Sequence, residues 1–305
     1  MKIDILMPTY NRINYAVENL KRIESEIYTN GLESKVRLIT SDNASSDGTY
    51  EALLSASTLQ STLVIKNDVN IGLENNVVNL LSASEAEYIM YISDDDTLPC
   101  GYIQRTIERI KKGVGVIVPN INAVYSDYEY RNIRGRGKDK YYKSSLISGI
   151  FYSYFCHQLS GLVFKREGLL SGYLKNNDNR NIYPFIYFCL SALENSEGLI
   201  FCKSECVNVT EGNSKDWRYN DIGLLDEIAK NYNSYYGKGS CKTTMAIINI
   251  CLKQSWRLRP NSWSNVLTTI KEALVSGEFS YLTKVSILCL ATLLFAYHSI
   301  PKRIK

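Results

Sequence analysis

Three consecutive carboxylates, Asp94, Asp95 and Asp96, follow the apolar run Tyr88-Ile89-Met90-Tyr91-Ile92 and Ser93, and the stretch closes with Thr97-Leu98-Pro99. Adjacent carboxylates repel one another. Keeping them together at the rim of a core makes sense when a positive charge shares theirs, and a divalent cation with oxygen ligands is the simplest candidate. The structural alternative is a solvated acidic turn after a strand. Two further polar stretches, Pro8-Thr9-Tyr10-Asn11-Arg12 and Ser41-Asp42-Asn43-Ala44-Ser45-Ser46-Asp47-Gly48-Thr49, also follow apolar runs.

The surrounding pattern explains how such stretches could meet. Lys2–Met7, Val36–Thr40, Leu63–Ile65 and Tyr88–Ile92 read as strands, and Tyr15–Ile27, Tyr50–Leu59 and Glu74–Leu81 carry helical spacing between them. Successive strand-loop-helix units predict an α/β fold with a mostly parallel central sheet flanked by helices, and the loops at the strand C-termini then lie along one edge. Polar residues from separate loops converge there. Downstream, Gly101–Lys111 reads as a helix, Val114–Val118, Gly161–Phe164 and Leu199–Cys202 as strands, and Tyr183–Glu194 as a helix opened by Pro184. Arg131–Lys143, basic and rich in Gly and Tyr, reads as a mobile loop. From Ile222 onward helix follows helix, over 243–258, 262–276 and 281–298, so the expected division is a catalytic domain over 1–218 and a helical C-terminal region over 219–305.

The totals describe a globular chain of 305 residues, 45% hydrophobic and 22% charged, and the formal charge of +4 gives no support to a nucleic-acid groove. Eight cysteines without a CxxC pair, mostly in apolar runs, read as reduced, buried thiols of a cytoplasmic protein, and no secretory signal precedes the first strand.

The opening "ILMPTYNR", then "SDNASSDGT", "NIGLENN" and "YISDDDTLPCGY", match in type, order and spacing the motifs of family 2 inverting glycosyltransferases, over roughly the first 105 residues. The chain resembles that family, whose fold is the glycosyltransferase A (nucleotide-diphospho-sugar transferase) type. The resemblance implies transfer of a sugar from a nucleotide-diphospho-sugar, with a UDP-sugar expected, to a hydroxyl of a glycan acceptor with inversion. It implies that Pro8, Thr9, Tyr10 and Arg12 line the nucleotide pocket, where an aromatic and a guanidinium suit a base and a diphosphate. Asp42 and Asn43 would face the base, Gly72 and Asn76 would flank the nucleotide, and Asp47 and Thr49 would cap the following helix. Ser93 stands where many members have the first acid. Ser93 and Asp94 are therefore expected to reach the donor, and Asp95 is the first choice of ligand for Mn²⁺ or Mg²⁺, with Asp94 and Asp96 as alternates.

Inversion also needs a carboxylate base, and members often carry a Glu-Asp pair at the start of the helix after the acceptor loop. Here that helix begins Asn181-Ile182-Tyr183-Pro184, so Asp178, the nearest acid upstream, becomes the candidate base. His157 reads as a core histidine bonded to a backbone carbonyl, and the 211–218 loop brings Lys215 as a candidate phosphate contact beside Trp217 and Arg218. The apolar segment Val285–Tyr297, followed by Lys302-Arg303-Ile304-Lys305, is shorter than the ~20 residues of a spanning helix. It reads either as a core helix or as an interfacial anchor, the latter fitting a peripheral enzyme at the inner face of a bacterial membrane acting on a polyprenyl-diphosphate-linked O-antigen or capsule precursor. The rival readings are a catalytically inactive nucleotide-sugar-binding module and a nucleotidyltransferase of similar sheet topology. The latter would want a Gly-rich loop that Pro8–Arg12 lacks.

Overall fold

The computed structural model describes residues 2–125, 130–175, 180–210, 223–253, 267, 270, 271 and 273–299. The chain runs β1 (Ile3–Thr9), α1 (Ile13–Thr29), β2 (Val36–Asp42), α2 (Thr49–Ala56), β3 (Thr62–Lys66), α3 (Gly72–Ala83), β4 (Tyr88–Tyr91) and α4 (Tyr102–Ile110). It continues through β5 (Val116–Val124), β6 (Tyr130–Asn132), β7 (Lys140–Lys143), α5 (Leu146–Tyr152), a 3₁₀ turn over Ser153–His157, β8 (Val163–Lys165), α6 (Leu169–Leu174) and α7 (Pro184–Glu194). Then follow β9 (Gly198–Thr210), α8 (Gly223–Tyr236), α9 (Cys241–Lys253) and α10 (Tyr281–Ser299).

Among the described residues the strands form one sheet in the order β3-β2-β1-β4-β8-β5-β9-β7, with β6 on β5. Its first four strands are parallel, with Thr9 beside Asp42 and Leu6 beside Tyr91, so their C-terminal ends share an edge. Strand β8 then runs antiparallel to β4 and β5, which brings its preceding residues, Gln158 to Gly161, to that same edge. The sheet is covered on both faces, as a parallel sheet requires. Ile3, Ile5 and Met7 of β1 pack with Leu20 and Ile23 of α1 and Ile103 of α4 in one cluster. Leu6 turns to the other, with Leu80 of α3, Phe164 of β8 and Phe185 and Phe188 of α7.

Two departures from the sequence reading have physical causes. The Arg131–Lys143 segment is a loop only over residues 133–139: at its ends β6 pairs with β5, and β7 pairs with β9 from Lys140–Phe201 to Lys143–Gly198. Open backbone groups of β5 and β9 supply the partners, and local composition carries no trace of that supply. The cysteines are all free, yet only Cys156, Cys189, Cys202 and Cys251 are buried, while Cys100, Cys241 and Cys289 are exposed. Helices α8, α9 and α10 agree with a helical C-terminal region. The 262–276 helix falls largely outside the described residues. No helix among the described residues is long and apolar enough to cross a membrane.

Helix α4 is latched to β9 by charge. Arg109 donates to Asp139 Oδ2 at 2.8 Å and pairs with Glu205 at 2.5 Å. Burial alone would raise the Asp139 carboxyl, but donors from Ser204 Oγ, the Lys203 and Ser204 backbone and the Arg109 charge outweigh it and hold it at about 2. A depressed carboxyl stabilises the fold above its unfolded value of 3.8, and that contribution is lost as pH falls through about 2. Asp139→Asn is expected to cost about 1 kcal/mol at pH 7 after solvent screening, with the gap to the parent closing between pH 4 and pH 2, read by denaturant titration at each pH.

Gly161 sits at φ +77°, where an added Cβ would stand 2.6 Å from Val207 Cγ2 and 3.2 Å from the Tyr102 hydroxyl. Both the left-handed backbone and the crowding oppose a side chain there. Gly161→Ala is expected to lower stability by about 2–4 kcal/mol in chemical unfolding, because strain and overpacking add.

Candidate active site

The rim of the parallel half is built from short polar loops that hold one another. Asn11, at φ 51°, donates its backbone N–H to Ser45 Oγ at 2.7 Å, and its Oδ1 accepts from the Ser46 N–H at 2.9 Å. Asp47 accepts from the backbone N–H of Ile13 at 3.1 Å and of Thr49 at 3.0 Å, so one carboxylate caps the first turns of both α1 and α2. The loops after β1 and β2 therefore form one unit.

At its centre is a charge pair. Arg12 Nη1 donates to Asp94 Oδ1 at 3.1 Å and to Asp95 Oδ2 at 2.5 Å, while Thr9 Oγ1 donates to Asp94 Oδ2 at 2.6 Å and Ser93 Oγ to Asp95 Oδ1 at 2.6 Å. Asp94 is only 4% exposed. Burial pushes its carboxyl up to about 6, with Arg12 opposing and the Asp95 charge adding to the rise. The Arg12 guanidinium is in turn raised, the two aspartates outweighing its own desolvation.

Asp96 points elsewhere. Its Oδ2 accepts from Ser160 Oγ at 2.5 Å and its Oδ1 from the Thr210 N–H at 2.9 Å, and burial with the Asp95 charge raises its carboxyl. Among the described residues no three His, Cys, Asp or Glu side chains form a group that could hold a metal. The expected trio is thus divided: Asp94 and Asp95 converge, while Asp96 braces the acid turn against Ser160 and β9. Successive residues of a turn point in different directions, and adjacency in sequence hides this. Asp94 and Asp95 still present hard oxygen atoms to one point, now held by the Arg12 cation. That donor set suits a divalent ion taking one or two carboxylates plus substrate phosphates.

Several residues expected beside the nucleotide also bond neighbouring loops. Asp42 is fully buried and both its oxygens accept from Ser45, through the backbone N–H at 3.1 Å and through the hydroxyl. Asn43 Oδ1 accepts from Asn67 Nδ2 and from the Ile71 N–H, each at 3.0 Å, and its Nδ2 donates to Asn70 Oδ1 at 2.8 Å. Asn76 joins Ser41 and Asn67. Gly72, at φ +80°, opens α3 and donates to Asn70 Oδ1, as a tight turn requires. Pro8 is buried at the end of β1, and Tyr10 is half-buried beside Arg12. His157 bonds the Tyr154 carbonyl through Nδ1 at 2.6 Å, and burial presses its pKa down to about 4. Asp178 and Lys215, with Trp217 and Arg218, lie outside the described residues.

Three residues in this frame escape sequence reading. Asn19 of α1 donates to the carbonyls of Ser93 and Asp96 at 2.9 Å, pinning the acid turn from below. Ser160 donates to Asp96 and accepts from the Ser93 N–H, and Thr210 Oγ1 donates to the Asp95 carbonyl at 2.6 Å. A polar residue on the apolar face of a helix is a signal for Asn19. Ser160 and Thr210 carry none.

Comparison with known proteins gives this geometry a context. The model of glycosyl transferase family 2 matches residues 4–169, more than half of the chain. Abequosyltransferase RfbV of Salmonella typhimurium is 24% identical over 277 residues, covering 83% of this chain and 81% of that protein. Residues 1–349 of S. aureus TarS, solved with UDP-GlcNAc, superpose with a TM-score of 0.64 at 14% identity over 90% of this chain and 80% of that one. The mannosyltransferase PcManGT from Pyrobaculum calidifontis, solved with GDP-Man and Mn²⁺, superposes with a TM-score of 0.52 at 13% identity over 98% and 88%. The strand order, the paired acids at the parallel edge and the family match agree: this chain belongs to glycosyl transferase family 2 and has the glycosyltransferase A fold.

Proposed function

We propose that the protein transfers a sugar from a nucleotide-diphospho-sugar, a UDP-sugar first among candidates, to a hydroxyl of a glycan acceptor, with inversion and with Mn²⁺ or Mg²⁺ held at Asp94 and Asp95. The observation that carries the reading is the convergence of these two carboxylates on Arg12 at the parallel edge of a family 2 fold. A divalent ion there would stabilise charge developing on the departing diphosphate. Thr9 and Ser93 orient the two carboxylates, and Asn19 and Ser160 keep the turn from relaxing outward. Arg12 has the planar fork that suits a diphosphate, and its side chain is a quarter exposed, within reach of a ligand entering the cleft.

Asp178 is proposed as the base that accepts the proton of the attacking hydroxyl. Support comes from Arg180, two residues on, whose Nε and Nη2 grip the Glu74 carboxylate at the first turn of α3 at 2.8 and 2.9 Å. Residues 1–218 would form the catalytic domain with Lys215 meeting phosphate. Residues 219–305 would carry a membrane-surface contact at the cytoplasmic face, supported by exposed Leu282, Val285 and Leu293 of α10. A polyprenyl-diphosphate-linked surface-polysaccharide precursor is the acceptor in this reading, in line with a relative named as an abequosyltransferase.

Thermal unfolding with nucleoside diphosphates and their sugars, with and without Mn²⁺, tests the donor. A matching nucleotide with metal at about a hundred times its Kd is expected to raise the melting temperature by about 5 °C, more than either alone, and no metal-dependent shift for any nucleotide would remove the donor assignment. Asp95→Ala is expected to lower metal-dependent donor hydrolysis by about a hundredfold or more. Asp178→Asn is expected to leave the nucleotide shift in place while transfer to acceptor drops by about 10²–10⁴, measured in initial-rate assays.

A further inference from the structure

Away from the acids, two cations share one aromatic ring. The Arg134 guanidinium lies 5.0 Å from the Phe155 ring centroid and the Lys253 ammonium 4.2 Å from it, with Lys253 also 5.9 Å from the ring of Phe151. Each cation gains about 1 kcal/mol from the ring, while the charge of Arg134 opposes the protonation of Lys253. Arg134 donates only to neutral acceptors: Pro119 O at 2.6 Å, Phe155 O at 2.9 Å and Gln158 Oε1 at 2.8 Å. Among the described residues neither cation pairs with a carboxylate, and the Lys253 ammonium has no hydrogen bond. Burial pulls the Arg134 guanidinium down to about 10, and desolvation followed by the Arg134 charge lowers Lys253. Two cations beside one ring with no carboxylate partner among the described residues make a positive spot that attracts an anion.

The topology says which anion. Gln158 stands two residues before Ser160, the partner of Asp96, so the cluster lies toward the edge that carries the acids. In the strand order it falls on the β8-β5 side of β4, whereas the nucleotide motifs follow β1, β2 and β3 on the other side. It therefore does not belong to the donor. Beside it α5 exposes Leu146, Ile147 and Phe151, an apolar strip next to the Lys253 ammonium. Charge followed by apolar surface matches a phosphate that carries a hydrocarbon chain.

We propose that Arg134 and Lys253, mounted on Phe155, form a binding site for a phosphate or diphosphate group of the acceptor, with α5 receiving the chain attached to it. Assignment to the acceptor rests on the sugar-transfer reading, but the phosphate site itself does not. No bond is made or broken at it: the cations hold the acceptor while its hydroxyl reaches the acids.

The test uses the full chain in EDTA without donor, titrated calorimetrically with inorganic pyrophosphate and, separately, with farnesyl diphosphate. Lys253→Gln is expected to weaken both about tenfold, and Lys253→Arg to restore them, since one charge-assisted hydrogen bond is lost and regained. Lys253 is exposed, so both variants are expected to unfold at the parent temperature. Tighter binding of farnesyl diphosphate than of pyrophosphate, with the excess removed by Phe151→Ser, supports a lipid-linked source; equal binding of the two probes supports the phosphate site and assigns it to a free phosphate. Unchanged pyrophosphate affinity in Lys253→Gln overturns the proposal. Lys253-dependent binding in a protein that turns over no nucleotide-sugar would keep the phosphate site and remove only the sugar-transfer reading.

Discussion

One guanidinium between two carboxylates is the constraint around which the parallel half is organised. Asp94 and Asp95 could not stand side by side at the end of a buried strand without compensation, and Arg12 supplies it from the neighbouring strand's loop. Because β1 and β4 are adjacent and parallel, Arg12 and Asp94, 82 residues apart in sequence, meet at their C-terminal ends. The pair is poised rather than inert. Asp94 is nearly sealed from water and its carboxyl is raised even with Arg12 present, so the site holds negative charge at a cost that a stronger cation would reduce.

Around that centre the rim is stiffened by amides. Asn43, Asn67, Asn70, Asn76 and Asn79 bond one another and the backbone of the loops after β2 and β3. An amide both donates and accepts, so one residue type closes a network without adding charge beside the acids. Buried polar networks of this kind are favourable only when every member is satisfied, and a satisfied one fixes the geometry of its loops. The consequence for function is indirect but specific: the amide network fixes the loops that flank the two carboxylates.

The antiparallel half serves a different purpose. Strands β8, β5 and β9 extend the sheet past the acids, and β9 returns Thr210 to brace the acid turn through both its N–H and its hydroxyl. Helices α5 and α9 are joined through Asn249, which donates to the Ile150 carbonyl at 3.0 Å. The aromatic cluster of Tyr142, Tyr152, Phe155 and Phe201 fills the space between them and supplies the ring on which Arg134 and Lys253 are mounted. The loops after β1, β2 and β3 and this cation-bearing ring thus lie on opposite sides of β4 in the strand order.

Much of this was legible in the residues alone. The first four strands, their intervening helices and the convergence of Pro8–Arg12, Ser41–Thr49 and the acid run on one edge follow from periodicity and from the right-handed crossover rule, both local or nearly so. The identity of the acids as a charged cluster was equally plain. Asp95 was the first choice among three adjacent aspartates with Asp94 and Asp96 as alternates, and only the fold turned Asp96 toward Ser160 and gave Arg12 to the other two. Asp42, Asn43 and Asn76 were expected beside the nucleotide from the family resemblance, and only the fold reveals the hydrogen bonds they make to neighbouring loops. β7 and the long β9 depended on strand partners supplied from elsewhere in the chain. Sequence determines which groups are available and along which edge they fall; the direction of each side chain, and the partner that claims it, arise from contacts between segments distant in the chain, and those exist only in the folded state.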